Sequence, residues 1–443
     1  MNDLHRRPSL AIIGGGLAGI AAALELAQAG QFKITILEKD GRLGGLASSY
    51  KWHDMLCDRF YHVILPADKL ALDLIERLEL ESRLKWRKSK SGFYGKGRLV
   101  PFSSAMDFAR FPFLSWGQKF RLGLGIYRVA RVENPEALDS LTVPQWLTQV
   151  FGSRVYESFW EPLVRAKLGD SLVRTSADFI WATIRRLYGA RGSAGSVEKL
   201  GALTGGISTL LPAAEKSLAE LGVEVHAGAP VDGLAREQNK IVVRTRGSSL
   251  SFDKAVLTVP SPEISKMIPD ENSSEAWRRI LQTEYLGVIC ALLILKRPLS
   301  SYYTINLLDK SLPFTGIIES TNVLSPETIG GRHLVYLPKY LTQDDPLLKV
   351  PEDRALDIFV GGLRKVFPSL KDEEILHSRL FRAPYVQPIR QPGSGRERAG
   401  FETPMPGVYV ANSSLIKNST LNIDAALKIA RDVVQVIAAP DSP

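Results

Sequence analysis

Residues 10–13 form a short apolar run that breaks at once into glycine. A run without polar alternation is the pattern of a strand buried on both faces of a parallel sheet. Residues 20–29 are rich in Ala, Leu and Glu, which favour helix, and Gly30 stands where a helix should stop. Residues 33–37 return to an apolar strand with Glu38 at its end. The chain is therefore predicted to begin strand, helix, strand.

Farther along, residues 67–85 place Leu70, Leu74, Ile75 and Leu78 on one side of a helix. Residues 92–102 read as a hairpin turning at Gly95, Lys96 and Gly97. Helix is also expected around residues 159–167 and over 211–221, followed by strands at 223–226 and 253–259. Four apolar strands are expected at 285–295, 303–308, 314–319 and 333–337. The pattern ends with a strand at 407–412 and a periodic helix at 423–437, for which Ser419, Thr420 and Asn422 are suitable caps.

At 443 residues the chain exceeds one compact core and fits two domains. Its 45% hydrophobic and 23% charged residues are those of a soluble globular protein. Only two cysteines occur, Cys57 and Cys290, and no Cys/His cluster, so neither a disulfide framework nor a metal site is expected. His5, Arg6 and Arg7 precede the first apolar run as in a signal peptide, but no cleavage site follows, so a strand is the better reading. Residues 285–295 are the longest other apolar run and are too short to span a bilayer. A cytoplasmic location is expected, with surface contact to a membrane left open. The net charge of +9 suits nucleic acid, an anionic membrane or an anionic substrate. No nucleic-acid motif accompanies it, and the basic residues are scattered apart from modest clusters at 83–96 and 382–398. A solvated basic surface is the simplest reading.

The chemistry begins at Gly14-x-Gly16-x-x-Gly19, set between the first strand and the first helix. Gly14 permits a tight turn, Gly16 lets backbone approach a pyrophosphate, and Gly19 lets the helix pack close. With Gly15, Leu17 and Ala18 they form a loop for a dinucleotide, whose phosphates would meet the helix N-terminus. Glu38, 19 residues after Gly19, can accept from ribose hydroxyls and would repel a 2′-phosphate.

After Glu38 and Lys39 come Arg42, Leu43, Gly44, Gly45 and Leu46. Here the chain resembles the FAD-dependent amine oxidase, protoporphyrinogen oxidase and phytoene desaturase superfamily, whose members follow an acid at the second strand with Arg and a Gly pair. Gly205 to Leu210, with the helix and strand after them, resemble the segment that returns to the FAD domain, where Val231 would touch the adenine region. The stretch from Gly407 to Asn412, then Leu421 and Asn422, resembles the last strand and the helix that faces the flavin. The resemblance implies an α/β fold with a discontinuous Rossmann-like FAD-binding domain (1–66, 196–260 and 385–443). A mixed α+β substrate domain (67–195 and 261–384) would carry an antiparallel sheet. It implies FAD held without a covalent bond, because no Cys lies near the last helix. Leu46 stands where many amine oxidases have Arg, and Asn412-Ser413 where many have Gly-Glu. These departures favour the desaturase and porphyrinogen-oxidase side.

On the substrate side, Tyr61 and His62 follow the flavin segment and are candidate catalytic groups; Glu319, a polar break in an apolar run, is a third. Arg165 and Lys167 suit an anionic substrate group or the solvated surface. Residues 103–132, aromatic and basic, read either as helices covering the cavity or as an interfacial surface. The expected activity is oxidation: hydride removal from a largely apolar or cyclic small molecule to flavin, with dioxygen, a quinone or another carrier reoxidising it. Two alternatives stay open. One is a flavin-dependent mutase like UDP-galactopyranose mutase, for which Arg165, Arg185 and Arg186 could hold a nucleotide; the other is a non-catalytic FAD-binding protein.

Overall fold

The computed structural model describes residues 7–132, 135–189, 198–268, 274–394, 400–417 and 419–439. His5, Arg6 and part of the 382–398 basic cluster lie outside them. A five-stranded, all-parallel sheet is built in the order Val408–Val410, Lys254–Leu257, Ser9–Ile13, Lys33–Glu38 and Glu224–Ala227. Parallel strands need crossovers, and the one between Ser9–Ile13 and Lys33–Glu38 is the helix Leu17–Ala29. Helices Leu17–Ala29, Leu210–Glu220 and Ile423–Ala438 contribute to the apolar core that includes Leu10, Ile12, Ile34 and Ile36. Ala11, Ile13, Leu37 and Leu257 instead pack with the three-stranded sheet Val231–Glu237, Lys240–Thr245 and Ser248–Phe252.

A second, seven-stranded sheet runs Ile375–Ile389, Glu284–Leu295, His333–Leu341, Gly316–Glu319, Thr304–Leu307, Ser91–Gly95 and Arg98–Pro101. It is antiparallel except where Thr304–Leu307 meets Ser91–Gly95 in parallel. Glu284–Leu295 is buried almost end to end, because it is paired on both edges and covered on both faces. One face is covered by helix Glu352–Val366 through Phe359 and Leu363. The hairpin turns at Lys96 and Gly97, both with positive φ (48° and 71°), the conformation of a tight two-residue turn.

A cluster of short helices forms a third apolar body around Phe151, Phe159 and Trp160. Within it, helix Trp116–Ala130 buries Leu122, Gly125 and Val129, and Gly125 lies so close to the Phe151 ring that no side chain would fit. The opposite side of that helix exposes Trp116 (73%) and Phe120 (75%), with Leu124 and Tyr127 along the same stripe. The segment is thus a cover on one face and an apolar surface on the other. No helix among the described residues is long and apolar enough to cross a membrane.

Phe359 is fully buried where helix meets sheet. Phe359→Ala should cost about 3–5 kcal/mol by cavity formation, read as a lowered denaturation midpoint. A midpoint within experimental error of wild type would show that this helix does not anchor the sheet.

Candidate functional site

The carboxyl ends of the parallel strands converge on one edge, the usual place for a ligand in an open parallel sheet. Gly14, Glu38, Ala229, Thr258 and Ala411 all lie at or just past such an end, and all line one cavity of about 570 Å3. That size suits a cofactor or small-molecule site. Across from them it is closed by Phe60, Tyr61 and His62, by Val288, Cys290, Pro338 and Tyr340 of the second sheet, and by Lys167 and Arg186 from the helical body.

The glycine loop is shaped by backbone contacts. Gly14 has φ +111° and donates its N–H to the Leu37 carbonyl at 2.9 Å. Gly19 sits against the Gly14 carbonyl so closely that no Cβ fits between them. The Gly44 N–H donates to the Gly15 carbonyl at 2.8 Å, which lays the Gly pair along the loop. Gly16 differs: its φ of −74° is ordinary, and an added Cβ would meet no protein atom within 4 Å. The space it faces belongs to the cavity. Gly16 caps helix Leu17–Ala29 with no side chain, so the first-turn N–H groups are left for a ligand.

Glu38 is buried, and its carboxylate accepts from Gly15 N at 2.6 Å and Asp40 N at 2.9 Å. Each oxygen keeps further acceptor capacity, and the residue lines the cavity. Ala229 N donates to the Glu38 carbonyl at 2.8 Å, which pins Pro230 and Val231 to the same wall. Asn412 also lines the cavity, but its side chain is committed to structure. Its amide donates to the Val259 carbonyl at 2.8 Å and its carbonyl accepts from Ser414 N at 3.0 Å. Asn422 caps the last helix by accepting from Ala425 N at 3.0 Å, and Leu421, Asn422 and Ile423 line the cavity.

Most residues expected to hold the cofactor therefore line this one space: Gly14, Gly16, Leu17, Ala18, Glu38, Lys39, Gly44, Gly45, Leu46, Val231, Asn412, Leu421 and Asn422. Gly15 and Gly19 shape the loop from behind it, and Arg42 is exposed outside the lining. An open cradle at Gly16, unbonded helix N–H groups and an acid beside them fit a dinucleotide with free ribose hydroxyls.

Tyr61 and His62 both line the cavity. His62 Nδ1 pairs with the Phe60 carbonyl at 2.9 Å, which makes Nδ1 the protonated nitrogen and leaves Nε2 as an acceptor. Burial pushes its imidazole below its ordinary range, opposed by the nearby Asp58 carboxylate. Asp58 accepts from Ile207 N at 2.8 Å and Ser208 N at 3.0 Å; burial raises its carboxyl, against the pull of His62 and those N–H groups. Gly206 has φ +88°, and any Cβ there would sit 2.5 Å from Asp58 Oδ2. The pairing spans 149 residues in sequence, so no local pattern announces it. Tyr61 and Tyr340 share a hydrogen bond, and burial holds both phenols well in the protonated range.

Glu319 does not face the cavity, which corrects the expectation from its polar break. It is buried elsewhere, accepting from Leu299 N at 3.0 Å and the Ser300 hydroxyl, and burial pushes its carboxyl up to about 7. Arg165 is likewise away from the lining and pairs with Glu161 and Asp170. Lys167 and Arg186, by contrast, are cavity residues.

Comparison with known proteins agrees with this construction. The model of the family described as flavin containing amine oxidoreductase matches residues 17–438. A 15-cis-phytoene desaturase from an Oncidium hybrid cultivar is 24% identical over 96% of this chain and 77% of its own. A putative protoporphyrinogen oxidase structure from Exiguobacterium sp. 255-15 superposes with a TM-score of 0.76 at 18% identity, covering 98% of this chain and 99% of its own. A reduced UDP-galactopyranose mutase superposes with a TM-score of 0.73 at 16% identity, covering 98% and 96%. These two likenesses are of fold.

Gly16→Ala tests the cradle. Its backbone conformation and its protein surroundings accept a Cβ, so the fold should survive, seen by circular dichroism. Bound FAD should fall by about tenfold or more, the loss of one close pyrophosphate contact region. Undiminished FAD with an intact fold would place the phosphates elsewhere.

Proposed function

The chain belongs to the flavin containing amine oxidoreductase family and is an FAD-dependent oxidoreductase; we propose that it oxidises a largely apolar or cyclic small molecule. The observation that carries this is the wall opposite the glycine loop. Phe60, Tyr61, Val288, Tyr340, Tyr385 and Val386 present rings and branched aliphatics toward the cavity. Such a wall orients an apolar body and excludes water. FAD, when bound, supplies the capacity to take two electrons from a C–H bond and pass them on. Glu38, the helix N-terminus at Leu17 and the cap at Asn422 would hold its nucleotide and flavin ends. His62 offers a neutral nitrogen to receive a proton, and Tyr61 and Tyr340, both protonated, can donate hydrogen bonds or line the substrate.

Anaerobic mixing with apolar cyclic and polyene substrates should bleach the bound flavin in single turnover. If none does, and turnover requires flavin reduced beforehand, the non-redox mutase alternative takes over. If neither reduction nor turnover occurs with any class, the FAD is structural. With a substrate in hand, the reduction rate should fall as pH drops through a value below 6.5, because His62 is held neutral by burial and acts as the neutral form. An acid limb that persists unchanged in His62→Gln would remove that role.

The apolar stripe of helix Trp116–Ala130 supports a further reading, contact with an anionic bilayer. Trp116, Phe120, Leu124 and Tyr127 are exposed, as are Arg110, Arg121, Arg128 and Arg131 along the same segment, and the guanidinium of Arg131 stacks 4.0 Å from the Tyr127 ring. Apolar insertion with flanking cations is the chemistry of an interfacial helix. The protein should co-sediment with phosphatidylglycerol vesicles more than with phosphatidylcholine vesicles, and Phe120→Ser should weaken this. Equal recovery in the supernatant in all cases, or a dimer that Phe120→Ser dissociates, would rule it out.

A further inference from the structure

Two cations open into the cavity on the side away from the glycine loop. Lys167 stands on helix Glu161–Leu168, with its ammonium 5.4 Å from the Phe179 ring and 5.7 Å from the Tyr340 ring. Among the described residues it has no carboxylate partner and no hydrogen bond. Its side chain is half-buried and lines the cavity. Arg186, on helix Ala177–Gly189, likewise lines the cavity, and its side chain is 28% exposed. One of its terminal nitrogens donates to Asp68 Oδ2 at 2.9 Å, while its buried Nε has no partner among the described residues. The same Asp68 oxygen already accepts from Leu65 N at 2.8 Å. Arg186 thus leans on a carboxylate already bonded to backbone, with the Asp424 carboxyl also near it, while Lys167 has no carboxylate partner among the described residues.

Holding an unpaired ammonium in a ring-lined cavity is unfavourable, and a second cation beside it adds to the cost. Burial first, and Arg186 second, lower the Lys167 amine to about 8. A site kept in that state is complete only with an anion. A guanidinium matches an oxyanion in plane, and an ammonium adds a point charge to it. The nucleotide phosphates have their own place at the glycine loop, built from different elements.

We propose that Lys167 and Arg186 form an oxyanion subsite for the substrate, so that the molecule oxidised carries a carboxylate or phosphate at one end of an apolar body. This rests on the oxidoreductase reading for the word substrate, and on the cavity alone for the binding chemistry. Phe60, Val288 and Tyr385 would take the apolar part.

The test is binding to the oxidised holoenzyme, so it needs no turnover. The probes are palmitate against hexadecanol, and geranylgeranyl phosphate against geranylgeraniol, followed by the perturbation of the flavin absorbance. At least one anionic probe should bind about tenfold tighter or better than its alcohol. Which pair shows the difference tells carboxylate from phosphate. Lys167→Gln should abolish the preference and Lys167→Arg restore it, with FAD content and flavin reduction potential unchanged in both. Arg186→Lys should weaken the anion less than Lys167→Gln, because it keeps the charge. Equal binding of anion and alcohol by the wild type would overturn the proposal. So would a Lys167→Gln variant that shifts the flavin potential while leaving probe affinity alone, since the ammonium would then serve the cofactor. A clear anion preference in an enzyme whose flavin no substrate reduces would leave the subsite standing and remove the oxidoreductase reading.

Discussion

The cavity depends on the close approach of backbone to backbone at the glycine loop. Gly19 against the Gly14 carbonyl, and the Gly44 N–H on the Gly15 carbonyl, leave no room for side chains. Because the loop is thin, the N-terminus of helix Leu17–Ala29 reaches the edge of the sheet with its N–H groups free. Because Gly15 N is held by Glu38, the second strand delivers its acid to the same spot. The remaining strands add their walls only because they are parallel, so that every carboxyl end opens on one side.

The second sheet makes the cavity a reaction chamber. Its strand Glu284–Leu295, buried almost end to end, holds Val288 and Cys290 opposite the nucleotide loop. Burial shifts several groups in and beside it. The Asp58 carboxyl is raised against the pull of two N–H donors, the His62 imidazole is lowered, and the Lys167 amine is lowered to about 8. The polar groups are spaced around an apolar wall, which is the pattern of a site that orients a greasy molecule by a few directed contacts.

The glycine loop, Glu38 and the Gly pair were legible in sequence because each has a local steric or electrostatic cause at a fixed spacing. The strands at 284–295 and 333–341 were legible as apolar runs, since burial on both faces removes alternation. Ile375–Ile389 was not, because His377, Ser378, Arg379 and Arg382 interrupt the run where one face meets solvent. The parallel step between Thr304–Leu307 and Ser91–Gly95 is a long-range pairing that no local pattern encodes. Glu319 misled because a polar residue within an apolar strand can be satisfied internally as well as by a ligand. Lys167 could be read either as an anion-binding group or as a solvated charge, since sequence does not tell a cavity from the outside; Asp58 needed Gly206 from far along the chain.

The most direct test of this account is to purify the protein, record its visible spectrum, denature it and identify what is released. A flavin spectrum is expected, with intact FAD freed into the supernatant and none left on the chain. A colourless protein that also fails to take up added FAD would contradict it, and the reading of the opposite wall would fall with it.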